Sequence, residues 1–139
     1  MSGPLDGIKV VEFSEIIAGP VSGVLLSDLG ADVIKVEPPW GAPWRGSPTR
    51  VGPPEAKESR GFIAVNRGKR SIRVDLTKPE GVKVVHRLVS ESDVVLVNHR
   101  PDVPYKLRID YETLSEINPR IIYCELTAFG RSGPESAKP

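Results

Sequence analysis

The residues best equipped for chemistry in this 139-residue chain are cations. Asn66-Arg67-Gly68-Lys69-Arg70 sets three of them in five positions, and Arg100 and Lys106 stand in a second segment interrupted by Pro101 and Pro104. Arginine offers a planar fork of donors that matches phosphate oxygens, so these segments could hold a polyphosphate ligand. A basic run is explained equally well as a solvated face. The charge is local: eight basic residues from Arg45 to Arg73 face only Glu55 and Glu58, whereas 19 basic and 18 acidic residues leave the whole chain at +1. That balance argues against a strongly cationic nucleic-acid binder.

Other chemistries find less support. Glu37 follows an apolar run, where a dinucleotide-binding protein places the acid that meets the ribose. The loop Ser14-Glu15-Ile16-Ile17-Ala18-Gly19-Pro20, however, has one glycine where that fingerprint needs three. The simpler reading of Glu37 is a solvated strand end. His86 lies in a helical apolar pattern beside Arg87 and reads as a surface or boundary residue. His99 sits in a candidate site loop, yet no histidine or cysteine stands at metal-ligand spacing near it, so no metal site is assigned. Cys124 reads as a small buried hydrophobe in a strand. Neither a Gly-x-Ser-x-Gly elbow nor a Walker loop occurs.

The elements that must position these residues follow from periodicity. Ile8 to Phe13 is short and β-branched, which predicts a buried strand. Pro20 suits a helix's first turn, Val21, Val24, Leu25 and Leu29 recur on one face, and Gly30 ends it. Val33 to Val36 then predicts a second strand, completing a βαβ unit with parallel strands. Residues 38 to 54 hold six prolines and three glycines, which predicts a surface loop, extended here to 38–60. Trp40 and Trp44 suggest that part of it packs on something. Phe62 to Val65 and Ser71 to Val74 read as two short strands joined by a tight turn. Pro79 opens a helix with Val82, Val85, Leu88 and Val89 on one face. Val94 to Val97 is expected to be the third parallel strand, Tyr111 to Ile117 a helix capped by Asp110, and Ile121 to Leu126 the fourth strand. The sum is one α/β domain with an open, mostly parallel sheet and flanking helices, whose ligands bind beyond the carboxyl ends of the strands. Three loops then matter: Ser14 to Pro20, the one opening at Glu37, and Asn98 to Pro104. A single cysteine and the lack of a long apolar run fit a cytoplasmic, non-membrane protein.

Several segments together resemble the class III coenzyme A transferases (CaiB/BaiF type), which include formyl-CoA and carnitine-CoA transferases and α-methylacyl-CoA racemases. They begin with Pro4-Leu5-Asp6-Gly7-Ile8-Lys9-Val10, Ala18-Gly19-Pro20 and Leu29 through Glu37. They continue with Asn66 through Ile72, Asp75-Leu76, Pro79-Glu80-Gly81, Asn98-His99-Arg100-Pro101, Asn118 through Tyr123, and Phe129 through Pro134. Their order spans nearly the whole chain.

The resemblance implies a Rossmann-like domain that binds coenzyme A or acyl-CoA as substrate, here only its N-terminal part. Family contacts to the coenzyme carry over to Ile17 and Ala18, Pro38, Val74, Asp75, Leu76 and Thr77, Asn98, His99 and Arg100, and Lys106. Lys69 and Arg70 become supporting electrostatics. Pro38 stands where many members have an arginine, so Arg45 or Arg50 would have to supply that contact. Thr77-Lys78 reverses the usual order, and His99 replaces a common phenylalanine. Asp102 replaces a common glycine and puts a carboxylate near a phosphate-binding loop. The family's catalytic aspartate, and the racemases' histidine and aspartate, are expected in a later segment, so no catalytic residue is assigned within these 139. The expected activity of the intact protein is transfer of CoA between carboxylic acids through an aspartyl-CoA intermediate. The alternatives are an acyl-CoA racemase or a non-catalytic CoA- or nucleotide-binding module. A homodimer or a complementary C-terminal fragment is the expected protein partner.

Overall fold

The computed structural model describes residues 3–45, 59–136 and 138. Five strands form one sheet: β1 (Lys9–Phe13), β2 (Asp32–Glu37), β3 (Arg70–Arg73), β4 (Val94–Val97) and β5 (Ile122–Glu125). They are ordered β3-β2-β1-β4-β5, and every pairing is parallel. Five helices connect or flank them: α1 (Ala18–Asp28), α2 (Arg60–Ala64), α3 (Pro79–Ser90), α4 (Val103–Leu107) and α5 (Tyr111–Ile117). Of the loop expected over 38–60, residues 46–58, with Arg50, lie outside the described residues.

The strands form where expected because a parallel sheet covered on both sides needs continuous apolar runs. Val11, Phe13, Val36, Val95 and Val97 pack against Val85 and Val89 of α3 and Leu114 of α5. The opposite face carries Val10, Val33 and Leu96, with Leu26 of α1 packed on them. Gly30, at φ +106°, turns the chain out of α1 in a left-handed conformation that suits glycine.

Four expectations fail. The two-strand reading of 62–74 is wrong in its first half: Phe62 to Val65 is mostly α2, capped by the Ser59 hydroxyl, which accepts from the Phe62 N–H at 3.0 Å. The crossover through α2 then brings β3 back parallel to β2, so no hairpin forms and Val94–Val97 is the fourth strand. The apolar face expected for α1 is also wrong. Val24 is buried, but Val21, Leu25 and Leu29 are exposed, and Gly19, Pro20 and Gly23 take the inner side. Cys124 is exposed, because it faces outward on the edge strand β5. Finally, α4 starts inside the segment read as a loop through Pro104.

Asp110 caps α5 as expected, its carboxylate accepting from the Thr113 N–H at 2.9 Å and the Thr113 hydroxyl at 2.8 Å. Asp110→Ala should cost about 1–2 kcal/mol, measured by urea unfolding. A loss below a few tenths would show that the cap does not hold α5.

Candidate functional site

The strand order reverses direction between β1 and β4, so the loops after these neighbouring strands diverge and leave a crevice at their carboxyl ends. The sequence builds its base with one amide. The Asn98 side chain accepts from the Glu15 N–H at 2.8 Å and donates to the Glu15 carbonyl at 2.9 Å. It therefore clamps the two loops together, and as a ligand contact its side chain has little left to offer. Beside the clamp, Ile16 sits at φ +66°, a strained conformation for a β-branched residue.

Two clefts open on either side of this base. The first, about 220 Å³, lies over the ends of β1, β2 and β3; Pro38, Val74, Asp75, Leu76, Thr77 and His99 line it, with Trp40 at 80% exposure. The second, about 480 Å³, is lined by Ile17, Ala18, Asn98, His99 and Arg100 with Glu15, Ile16 and Val103. Ten of the eleven residues carried over from the resemblance thus converge on two adjoining clefts that share Glu15 and His99. Lys106 is the exception and lines neither. Its ammonium is 2.7 Å from Asp102, which also stands 3.7 Å from Arg100. The Lys106 hydrogen bond is the main reason that the Asp102 carboxyl titrates below its ordinary range. Asp102 thus draws on the cations of the loop. Asp75 likewise titrates low, because it accepts from the Thr77 hydroxyl at 2.6 Å and the Thr77 N–H at 3.0 Å.

The basic segment behaves differently from its sequence reading. Arg67 pairs with Asp28, Arg70 with Asp32 at the amino end of β2, and Lys69 reaches Glu12 at 2.7 Å with its side chain 2% exposed. Each of its three cations is thus paired with an acid of α1, β1 or β2, and none of them lines the two clefts. Arg45 makes no substitute at Pro38, because its guanidinium grips Glu37 through two bonds of 2.7 and 2.6 Å and lies 4.2 Å over the Phe62 ring. Glu37 is buried, so it is no solvated strand end. Burial works against its charge, but Arg45, the Ala42 N–H at 2.8 Å and Lys35 together outweigh it and hold the carboxyl below its ordinary range.

Sequence reading also missed a buried charge cluster beneath α1. Glu12 accepts from Lys35 at 2.9 Å and from the Ser14 hydroxyl at 2.6 Å, while Lys35 donates to the Ser14 carbonyl at 2.5 Å. Lys35 thereby ties the loop after β1 to the floor of the first cleft. The signal was present: Glu12 and Lys35 interrupt apolar runs with opposite charges, and in the sheet they are direct partners. Trp44 packs on Gly61 as expected for part of its loop. His86 is a half-buried boundary residue whose Nε2 lies 2.9 Å from the Arg108 carbonyl. Among the described residues, no group of three His, Cys, Asp or Glu could hold a metal ion. No described helix is long and apolar enough to cross a membrane.

A parallel sheet with helices on both faces and clefts at the carboxyl ends beside its switch point defines a doubly wound α/β domain. The sequence profile of CoA-transferase family III matches residues 5–139, and the chain belongs to that family. It is 48% identical to the succinate–glutarate CoA-transferase of Agrobacterium fabrum over 94% of this chain and 34% of that protein. It is 42% identical to the human succinyl-CoA:glutarate CoA-transferase over 97% of this chain and 30% of that one. The crystal structure of a CaiB/BaiF family protein from Brucella suis superposes with a TM-score of 0.92 at 47% identity, covering 99% of this chain and 37% of its own. The chain thus spans about a third of the length of the relatives it matches.

Proposed function

We propose that this chain binds coenzyme A or acyl-CoA across the two clefts and serves an enzyme that moves CoA between carboxylic acids. The observation that carries this reading is the shared wall: one apolar cleft and one arginine-bearing cleft adjoin at Glu15 and His99. An extended ligand with a planar base at one end and phosphates along its length suits that division. Pro38, Val74, Leu76 and the Trp40 ring offer apolar surface to the base, and Arg100 offers a fork to the phosphates. Asn98 contributes by fixing the loops. Lys106 acts at longer range, since Asp102 holds it.

The acyl chemistry belongs to an aspartate nucleophile outside these 139 residues, as the resemblance implies. The dicarboxylic acids in the relatives' names are the first acceptors to assay. A further protein surface is part of the reading: Val21 and Leu25 of α1, with Ile17 and Leu29 at its two caps, recur at every fourth position and are each 38–58% exposed. A helix apolar on both sides is one that packs on both sides.

Calorimetry with coenzyme A tests the binding. Arg100→Ala should weaken it about tenfold, near 1.5 kcal/mol, at the low end for a charge-assisted hydrogen bond because the side chain is 58% exposed. Unchanged affinity would show that the loop is not the site, and acyl transfer by the chain alone, read by mass spectrometry, would sink the placement of the nucleophile.

A further inference from the structure

His99 has a position that the two-cleft reading does not use. Besides the two clefts already described, it lines a third, bounded by Phe129 and Lys138 near the end of the chain. One imidazole therefore stands at the meeting point of three clefts, half-buried, and among the described residues neither ring nitrogen has a hydrogen-bond partner. The Asn98 clamp immediately before it fixes its backbone. The apolar cleft and the Arg100 cleft have Glu15 and His99 in common, so this pair forms the wall between them.

Charged groups face this imidazole from several elements. Glu15 stands after β1, and Lys35 and Glu37, the latter held by Arg45, on β2; Asp75 stands after β3, across the first cleft, Arg100 is adjacent in sequence, and Lys138 lines the third cleft. Asp75 is engaged by Thr77, and Lys35 by Glu12 and Ser14. Glu15 has its backbone bound by Asn98, and it is the carboxylate whose charge favours the imidazolium. Burial, the largest influence, and Lys35 oppose that charge, so the free imidazole titrates below its ordinary range and is neutral near pH 7.

We propose that His99 is a proton-linked ligand contact: it becomes imidazolium when a phosphate of the bound coenzyme lies against it, so that binding takes up a proton. This inference rests on the coenzyme-binding reading above. An anion placed beside a neutral imidazole favours the charged form and raises its pKa in the complex. By linkage, affinity then falls as pH rises between the free and bound values, by at most about tenfold per pH unit. Arg100, charged throughout, supplies the part of binding that does not depend on pH.

Calorimetric titration of the chain with coenzyme A, from pH 5.5 to 8 and in buffers of different ionisation heat, reads proton uptake directly. The ligand's own phosphate also titrates, so the same series on His99→Gln supplies the reference. The wild type should take up more protons than His99→Gln and show the steeper loss of affinity with pH. Equal uptake and equal slopes in the two proteins would overturn the proposal while leaving the binding reading intact. Absence of coenzyme A binding at every pH would overturn both. The chain has only two histidines, His86 and His99, so NMR of the imidazole Cε1–H signals gives a second readout that needs no folded variant. The His99 signal should titrate at a higher pH with coenzyme A bound than without it, and an unshifted titration would also overturn the proposal.

Discussion

Glu12→Ala should destabilise the folded chain by about 3–5 kcal/mol, the cost of stripping one partner from a buried ion cluster. Glu12 has no exposed surface, and its two carboxylate oxygens serve Lys35 at 2.9 Å and Lys69 at 2.7 Å, with side chains 3% and 2% exposed. Without the carboxylate, two buried ammonium groups face each other across the space beneath α1. They keep only neutral acceptors: the Ser14 carbonyl for Lys35, and for Lys69 the Pro20 carbonyl at 2.8 Å, the Val65 carbonyl at 3.0 Å and Asn66 Oδ1 at 3.3 Å. The Lys69 ammonium already titrates low because burial outweighs the attraction of Glu12, and loss of that attraction would lower it further. Urea unfolding should show the midpoint falling by about 2 M with an unchanged slope. Converting Glu12 to Leu and both lysines to Met should recover most of the loss, since removing a whole buried cluster spares the desolvation that removing one partner exposes. A cost below about 1 kcal/mol for Glu12→Ala would show that the cluster is hydrated and weak.

Gly23→Ala should cost about 3 kcal/mol, at the upper end for overpacking and opposite in sign to the gain of about 1 kcal/mol that alanine brings to an open helix position. A Cβ on Gly23 would lie 1.9 Å from Glu12 Oε2 and 2.9 Å from Lys69 Nζ. The carboxylate cannot swing away, because Ser14 and Lys35 hold its other oxygen. The helix must lift from the sheet, and with it the Ile17-Ala18 wall of the second cleft. Gly61 in α2 is the matched control: its added Cβ meets only Trp44 at 3.5 Å and Ser59 at 4.0 Å, so Gly61→Ala should be neutral or slightly stabilising. In the Glu12→Ala background Gly23→Ala should lose most of its cost, since the group it strikes is gone. Additive costs would place the clash elsewhere.

The two substitutions expose what local reading reaches. β1, β2, β4 and β5 were legible as short apolar runs, and α3 and α5 announced themselves through Pro79, the valine spacing and the Asp110 cap. α2 was not legible, because its five residues include Phe62 and Ile63, and a chain this short has too little periodicity to separate helix from strand. Its state rests on the Ser59 cap and on burial of Phe62 beneath Arg45. α1 misled for another reason. Its apolar residues show a helix but do not say which side faces the sheet, and Gly19 and Gly23 take that side because buried polar groups below leave no room for larger ones.

The candidate site divides the same way. The sequence alone determined a parallel α/β domain, the place of most of its strands and of α1, α3 and α5, and its family, and the resemblance pointed to the ten residues that line the clefts. The elements follow from local spacing, because apolar runs, prolines and caps each act within a few residues, whereas the contact residues come from the resemblance. Only the tertiary structure decided which charges remain for a ligand. Lys35 and Glu12 are 23 residues apart in sequence, Arg70 and Asp32 are 38 apart, and Arg67 and Asp28 are 39 apart. Their pairing depends on strand register and on the crossover through α2. That pairing engaged the basic segment with acids away from the clefts, whereas His99 came to stand where three clefts meet. Ion pairing acts through space, so its outcome is settled by the packing of distant segments.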